Sequence, residues 1–164
     1  MRLALLVLVA CTSPASAPLA NGGGSTVTLD DTQTIANIIL KRYVADPKSL
    51  EDSGLLPASG PIYIAAELGE RVRLAPAALP AGPRFVIAPQ ADIQHIADRT
   101  NHEVAYIRLA IDVHGDSASV SAGVDLLLPA QSKAIKLCCC DASGRWDKRG
   151  GRWVENDIRV VSCG

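Results

Sequence analysis

The five cysteines are the residues whose type and spacing point most clearly to chemistry. Cys11 follows a short apolar run at the N-terminus, Cys138, Cys139 and Cys140 are consecutive, and Cys163 is the second-to-last residue. Cysteine can carry lipid, bind soft metal ions as a thiolate, or form a disulfide. The place of each cysteine in the chain decides which chemistry we expect of it.

The first ten residues are typical of the signal segment of an exported protein. A positive charge at Arg2 precedes an unbroken apolar run, Leu3–Ala10, as in signal peptides. The run is too short to cross a bilayer, which needs about 20 apolar residues. Leu8-Val9-Ala10-Cys11 resembles the lipobox of bacterial lipoproteins. That resemblance implies that residues 1–10 are removed and that Cys11 carries a diacylglyceryl group with acyl chains such as palmitate.

The same resemblance implies a location in the cell envelope. Thr12 follows the cysteine, whereas an Asp there resembles the inner-membrane retention signal of enteric bacteria. We therefore expect a lipid anchor at the periplasmic face of the outer membrane, and several acyl chains give stable attachment. Ala15-Ser16-Ala17 has the A-x-A form of an ordinary cleavage site, which leaves a soluble secreted protein as an alternative.

Composition divides the rest of the chain into a tether and one domain. Residues 11–30 hold the lipidated cysteine and a linker containing Gly22-Gly23-Gly24, and about 20 flexible residues have an r.m.s. span of roughly 25 Å. Residues 31–164 suffice for one hydrophobic core. They contain no second apolar run of membrane-spanning length.

Hydrophobic spacing predicts two helices and several early strands. Apolar residues at helical spacing follow Asp30 or Asp31, either of which is a good N-cap, and the helix ends before Pro47. A second helix is expected from Gln90 to Thr100, with Ile93, Ile96 and Ala97 on one face. The strands expected before it are 62–68, 71–74 after a turn at Gly69-Glu70, and 85–87.

Strict alternation later in the chain predicts two hairpins. Residues 104–113 and 117–128 alternate apolar with polar residues around a turn at His114-Gly115-Asp116. A second hairpin runs from 135 to 162 and turns at Gly150-Gly151, a favoured pair. The order of elements predicts an α+β fold, in which an N-terminal helix and a second short helix pack on a curved, mainly antiparallel sheet that ends in the two hairpins.

Two further resemblances concern the C-terminal half. The strand Asp116–Val124 and the ending Lys148-Arg149-Gly150-Gly151-Arg152-Trp153-Val154 resemble the cystatin-like and nuclear-transport-factor-like rolls, which often enclose a cavity. The consecutive cysteines and the Gly-Arg-Trp ending also resemble a set of uncharacterised bacterial envelope proteins. The second resemblance implies no activity.

The second hairpin predicts a disulfide, because the expected compartment is oxidising. With Gly150-Gly151 as a two-residue turn, paired residues sum to 301, so Cys138 stands opposite Cys163. A bulge, expected at Asp141–Gly144, would shift the register and make Cys139 or Cys140 the partner instead. The bridge would stabilise the fold by roughly 3 kcal/mol.

The consecutive cysteines also support an alternative, a copper or zinc site formed by Cys138, Cys139 and Cys140. Metal ligands are more often spaced, as in C-x-x-C, so that the chain can wrap the ion. On a strand, Cys139 points away from its two neighbours. We therefore expect no metal and no other cofactor.

No other residues show a catalytic pattern. His114 lies in a turn, His102 in a loop, and Asp92, His95 and Arg99 share the polar face of the second helix. Trp146 and Trp153 are expected to cap the core or to form a small binding surface. No nucleophile motif or phosphate-binding glycine loop occurs.

Charge is unevenly distributed along the chain. Residues 131–164 carry seven Lys and Arg against four Asp and Glu, a net charge of +3, and residues 12–130 carry eight against thirteen, a net charge of −5. The basic hairpin could contact an anionic envelope surface, but we favour the simpler interpretation, a solvated hairpin whose Lys and Arg side chains oppose aggregation. We expect a membrane partner through the lipid anchor and no nucleic acid.

These observations predict a lipid-anchored envelope protein with a non-enzymatic binding or scaffolding role. One alternative is a periplasmic protein that handles thiols or metals through the cysteines at 138–140. Another is a small cavity-type enzyme on a cystatin-like roll, which would need a pocket with convergent carboxylates or histidines.

Overall fold

Two helices and six strands make up the part of the chain described by a computed structural model, namely residues 30–67, 74–134 and 139–163. In chain order they are α1 (Asp31–Ala45), β1 (Pro61–Glu67), β2 (Arg84–Ile87), α2 (Gln90–Thr100), β3 (Val104–His114), β4 (Ser117–Leu127), β5 (Cys140–Arg149) and β6 (Arg152–Cys163). Short 3-10 helices occur at Pro47–Ser49, Ser53–Leu55 and Pro76–Ala78. Within these ranges no helix is long and apolar enough to cross a membrane.

The six strands form one strongly curled sheet in the order β2-β1-β3-β4-β5-β6. β1 pairs in parallel with both β2 and β3, and the other three pairs are antiparallel. The α+β class is confirmed. The sheet is mixed because the link from β2 through α2 to β3 returns the chain to the same end of the sheet, as parallel pairing requires.

Helix α1 forms where its sequence offers a cap and an apolar stripe. The Asp30 side chain accepts a hydrogen bond from the backbone N–H of Gln33 at 2.8 Å, a typical N-cap contact. Ile35, Ile39 and Leu40 are buried at 0, 6 and 0 % exposure. They pack on the inner face of the sheet, which presents alternate residues of β1, β3 and β4: Ile62, Ile64, Ile107, Leu109, Ile111, Ala118, Val120 and Ala122.

Helix α2 lies on the opposite face of the sheet, as a separate small core shows. Ile93 is fully buried and packs with Ala65 of β1 and Tyr106 of β3. The Asp98 carboxylate accepts a hydrogen bond from the backbone N–H of Ala130 at 2.7 Å, which holds the segment after β4 against the helix. Beyond the part of this face that α2 covers, β4 and β5 present small or polar side chains such as Ser119, Ser121 and Ser143, and β6 presents the exposed Val154 and Val160.

Both predicted hairpins are present. His114 pairs with Ser117 across a two-residue turn, and Arg149 pairs with Arg152 across Gly150-Gly151. The two glycines have φ of 56° and 76°. Positive φ at both central residues is the geometry of a type I′ turn and explains why glycine occupies them.

The β5–β6 register changes along the hairpin and corrects one prediction. The predicted pairing holds from the turn to Trp146 and Glu155, but Gly144 then pairs with Arg159. Residues 156–158 of β6 therefore stand opposite Arg145 alone, so β6 contains two extra residues. The irregularity was expected in β5, at residues 141–144, and lies in β6 instead.

This shift determines the disulfide. Cys140 pairs with Cys163 in the register, and the two are bonded with a Cα–Cα distance of 4.1 Å. Cys163 thus uses Cys140, one of the two alternative partners, and not Cys138, because the extra residues of β6 displace the register by two.

Several predictions fall on residues outside the described ranges. These are the signal segment, Cys11 and the tether up to residue 29, the turn at Gly69-Glu70 with residues 71–73, and residues 135–138, including Cys138. Leu74, at the end of the predicted 71–74 strand, is described and is buried at 5 % exposure.

Gly123 marks a close approach between β4 and β5. On the outer face it lies in register between Arg108 of β3 and Asp141 of β5, which form an ion pair across it. A Cβ atom at this position would lie 2.4 Å from the carbonyl oxygen of Cys140 and 2.6 Å from Oδ1 of Asp141. Glycine is therefore required because any side chain would separate the two strands.

Asp31, at the start of α1, joins the helix to the β5–β6 hairpin. Its Oδ1 accepts hydrogen bonds from Nζ of Lys148 at 2.8 Å and from Nε1 of Trp153 at 2.9 Å. The Lys148 ammonium also lies 5.7 Å from the centroid of the Trp153 ring. The hydrogen bond from Lys148, then that from Trp153, together with the lysine charge, lowers the pKa of Asp31.

Replacing Gly123 should test the close approach. We expect Gly123→Ala to reduce the free energy of unfolding by about 1–3 kcal/mol, the usual cost of overpacking, as measured by urea denaturation. Gly54→Ala is the control, because nothing lies within 4 Å of the added Cβ, and it should leave stability unchanged or raise it by up to about 1 kcal/mol. Equal effects of the two substitutions would contradict the steric argument.

The Asp31 contacts should make stability depend on pH. Because the pKa of Asp31 is lowered in the folded state, its stabilising effect is present above about pH 4 and is lost as pH falls through the folded pKa. The side chain is 41 % exposed, so screening limits the effect to about 1 kcal/mol or less. We expect Asp31→Asn to be less stable than the parent protein at pH 7, and the difference to shrink towards pH 2. A difference that does not change with pH would contradict this account.

Candidate functional site

A cavity of about 130 Å³ lies between the C-terminal half of α1 and the inner face of the sheet. We call it the α1 cavity. The 3-10 turn at Pro47–Ser49 and the residue after it, Leu50, form one wall, and β4, β5 and β6 form the floor. The described residues that line it are Ile39, Arg42, Ser49, Leu50, Val120, Ala122, Ala142, Gly144, Trp146 and Glu155.

The cavity exists because the sheet presents small residues beneath the helix. Ala122 of β4 is paired with Ala142 of β5, and Val120 is paired with Gly144. At the next inward-facing position of β5, Trp146 is paired with Ala118 and is 2 % exposed, so its ring occupies the space between helix and sheet there. The change from small residues to a large ring closes the cavity at that end.

Two opposite charges lie at the edge of the cavity. Arg42 of α1 forms an ion pair with Glu155 of β6, and their side chains are 46 and 31 % exposed. The guanidinium of Arg42 also lies 4.9 Å from the centroid of the Trp146 ring, a cation–π contact. Packing on the ring holds Arg42 at the rim, where its charge remains open to solvent.

Ser49 contributes a polar atom that lacks a partner. Its Oγ is buried and makes no hydrogen bond within the described part of the protein. Burial of an unpaired hydroxyl costs about 1–3 kcal/mol, so native proteins avoid it unless the group serves another purpose. A buried, unpaired donor in the wall of a cavity suggests that a ligand supplies the missing partner.

The described lining of the cavity is mainly apolar, with a few polar groups. Among the described residues around the cavity there is no histidine, and Glu155 is the one carboxylate. Glu155 is paired with Arg42, and the Ser49 hydroxyl makes no hydrogen bond to a described residue. The geometry therefore provides an apolar recess with one cation, one anion and one hydroxyl.

A second, wider groove of about 670 Å³ lies at the start of β1 and β2. Its walls include Tyr43 and Leu56, and burial raises the pKa of the Tyr43 hydroxyl. Much of its rim, from Pro57 to Gly60, is exposed. It has no buried unpaired polar group in the described residues, so we favour the α1 cavity as the candidate site.

The three cysteines in the described part of the chain are in disulfides. Cys140 and Cys163 are joined to each other, and Cys139 is also in a disulfide. Across the described ranges, no group of three or more His, Cys, Asp or Glu side chains is placed to hold a metal ion. The structure therefore brings together no thiolate cluster at Cys139 and Cys140.

The histidines and the helix residues singled out from sequence lie on the surface. The ring of His114 is 72 % exposed and lies 2.9 Å from Oδ2 of Asp112. Three of the remaining candidates are exposed on α2 and one in the turn that follows it: Asp92, His95, Arg99 and His102. None of them is among the described residues that line either cavity.

Of the cavity residues, only Trp146 was a candidate on sequence grounds, as a core cap or part of a binding surface. Arg42 lies on α1 with its side chain exposed, so the apolar pattern of the helix does not single it out. Ser49 and Glu155 are more than a hundred residues apart in the chain, and no local pattern connects them.

Comparisons with protein-family models, curated proteins and solved structures give no match for this chain.

Removing the Ser49 hydroxyl should raise stability. We expect Ser49→Ala to increase the free energy of unfolding by about 1 kcal/mol, because a buried unpaired group is replaced by an apolar one. Urea denaturation measures the change, with the exposed Ser59→Ala as a control expected to lie within about 0.5 kcal/mol of the parent protein. A destabilised Ser49→Ala variant would mean that the hydroxyl already has a partner.

Proposed function

We propose that this protein is a lipid-anchored protein of the cell envelope whose domain is a non-enzymatic binding module. The support for the anchor is Leu8-Val9-Ala10-Cys11 at the end of a short apolar run. The proposed position is the periplasmic face of the outer membrane, with the domain held near the surface by the tether. A contact of the basic C-terminal segment, residues 131–164, with an anionic envelope surface is part of the same proposal.

The proposed binding site is the α1 cavity. The observation that carries it is the buried, unpaired Ser49 hydroxyl in the wall of an apolar recess. Arg42 and Glu155 at the edge add a cation and an anion that a ligand can reach from solvent. A few convergent polar groups around an apolar space are the usual composition of a small-molecule site.

Neither alternative role is favoured by a specific observation. Metal binding by cysteine needs free thiolates, whereas Cys139, Cys140 and Cys163 are in disulfides. Thiol-redox exchange typically uses a C-x-x-C pair, which the sequence lacks. A cavity-type enzyme needs convergent carboxylates or histidines, whereas the described lining of the α1 cavity has one ion-paired carboxylate. A binding module requires only the recess and its polar groups.

The anchor can be tested by intact-mass analysis of the native membrane fraction. We expect a mature chain that begins at Cys11 and carries the added mass of a diacylglyceryl group. Cys11→Ser should lack that mass and be absent from the lipid-modified fraction, whereas Thr12→Ser should behave as the parent protein. A soluble chain beginning after Ala17 would support the secreted alternative and contradict the anchor.

A further inference from the structure

We propose that the α1 cavity binds a free α-amino acid with a branched aliphatic side chain. This inference rests on the proposed binding function and names the ligand class of that site. The argument has three parts, which concern the charges at the edge, the size of the recess, and the groups that orient the ligand.

The charges at the edge match the head of an amino acid. Arg42 presents a cation and Glu155 an anion side by side, and a free amino acid carries a carboxylate and an ammonium group on a single carbon. Exposed ion pairs contribute little to stability. Replacing the Arg42–Glu155 pair by two ion pairs with the ligand therefore costs little folding free energy. A ligand with only one charge would leave one protein group without its partner.

The size and lining of the recess match a short aliphatic chain. About 130 Å³ is slightly less than the 150 Å³ engineered cavity that holds benzene in another protein. Ile39, Leu50 and Val120 surround the space with methyl groups, and Ala122 and Ala142 form its floor. The four carbons of a leucine side chain fit such a space.

Two side chains, Arg42 and Ser49, are placed to bind the carboxylate of the ligand. Packing of the Arg42 guanidinium on the Trp146 ring at 4.9 Å limits its freedom before the ligand arrives, which reduces the entropy lost on binding. Ser49 supplies a hydroxyl whose hydrogen-bonding capacity is unused in the described structure. We assign to Ser49 the role of a second donor to the ligand.

The test is calorimetric titration of the protein, as purified in detergent, with three compounds. L-leucine carries both charges, 4-methylpentanoate lacks the ammonium group, and isopentylamine lacks the carboxylate. We expect leucine to bind and each analogue to bind about tenfold to a hundredfold more weakly, because each loses a charge-assisted hydrogen bond.

Variants assign each charge to its partner. Arg42→Gln should weaken leucine by about tenfold or more, and Glu155→Gln should weaken leucine while leaving 4-methylpentanoate unchanged or tighter, because the repelling carboxylate is removed. Arg84→Gln, at an exposed arginine outside the cavity, is the matched control and should not alter binding. Far-ultraviolet circular dichroism checks that each variant is folded.

The outcomes separate this inference from the proposed function. Equal binding of all three compounds would overturn recognition of the zwitterion but retain the cavity as a binding site. Binding of leucine that neither Arg42→Gln nor Glu155→Gln affects would place the site elsewhere and overturn the inference. No binding of any compound would overturn it too, and would also remove the support for the cavity as a ligand site, while the lipid anchor on Cys11 is judged separately by mass.

Discussion

The packing of α1 against the inner face of the curled sheet is the interaction on which the rest of the domain depends. Ile35, Ile39 and Leu40 bury the helix against β1, β3 and β4, and burial of a side chain of this size contributes about 1.5–3 kcal/mol. The same seating brings Asp31 to the β5–β6 hairpin and Arg42 to Glu155. The α1 cavity is a part of this contact that the small residues of β4 and β5 leave unfilled.

The elements with a strong local period were predictable from sequence. Both helices follow from apolar residues at helical spacing, and the choice between Asp30 and Asp31 as the cap of α1 came from the structure. The two hairpins follow from strict alternation and, for the second, from Gly150-Gly151, a pair that readily adopts the positive φ angles of a type I′ turn. These signals are local because each depends on residues close together in the chain.

The sheet order and the candidate site depend on contacts distant in sequence, and local patterns do not encode them. Nothing in the composition of β1 shows that it lies between β2 and β3, parallel to both. The two extra residues of β6 are evident only from the strand register, in which Gly144 pairs with Arg159. Ser49 and Glu155 face one cavity because a loop and an edge strand converge there, so sequence reasoning named neither.

The two-residue shift in β6 has a consequence for oxidation. A slip of two residues keeps every side chain on its own face of the sheet, so the apolar pattern does not distinguish the bulged pairing from the regular one. With three consecutive cysteines at 138–140, a nascent chain offers Cys163 competing thiols. The bulge therefore selects the partner, and the bond to Cys140 then prevents the hairpin from sliding back. In this chain a backbone irregularity thus determines which of three neighbouring cysteines forms the bond to Cys163.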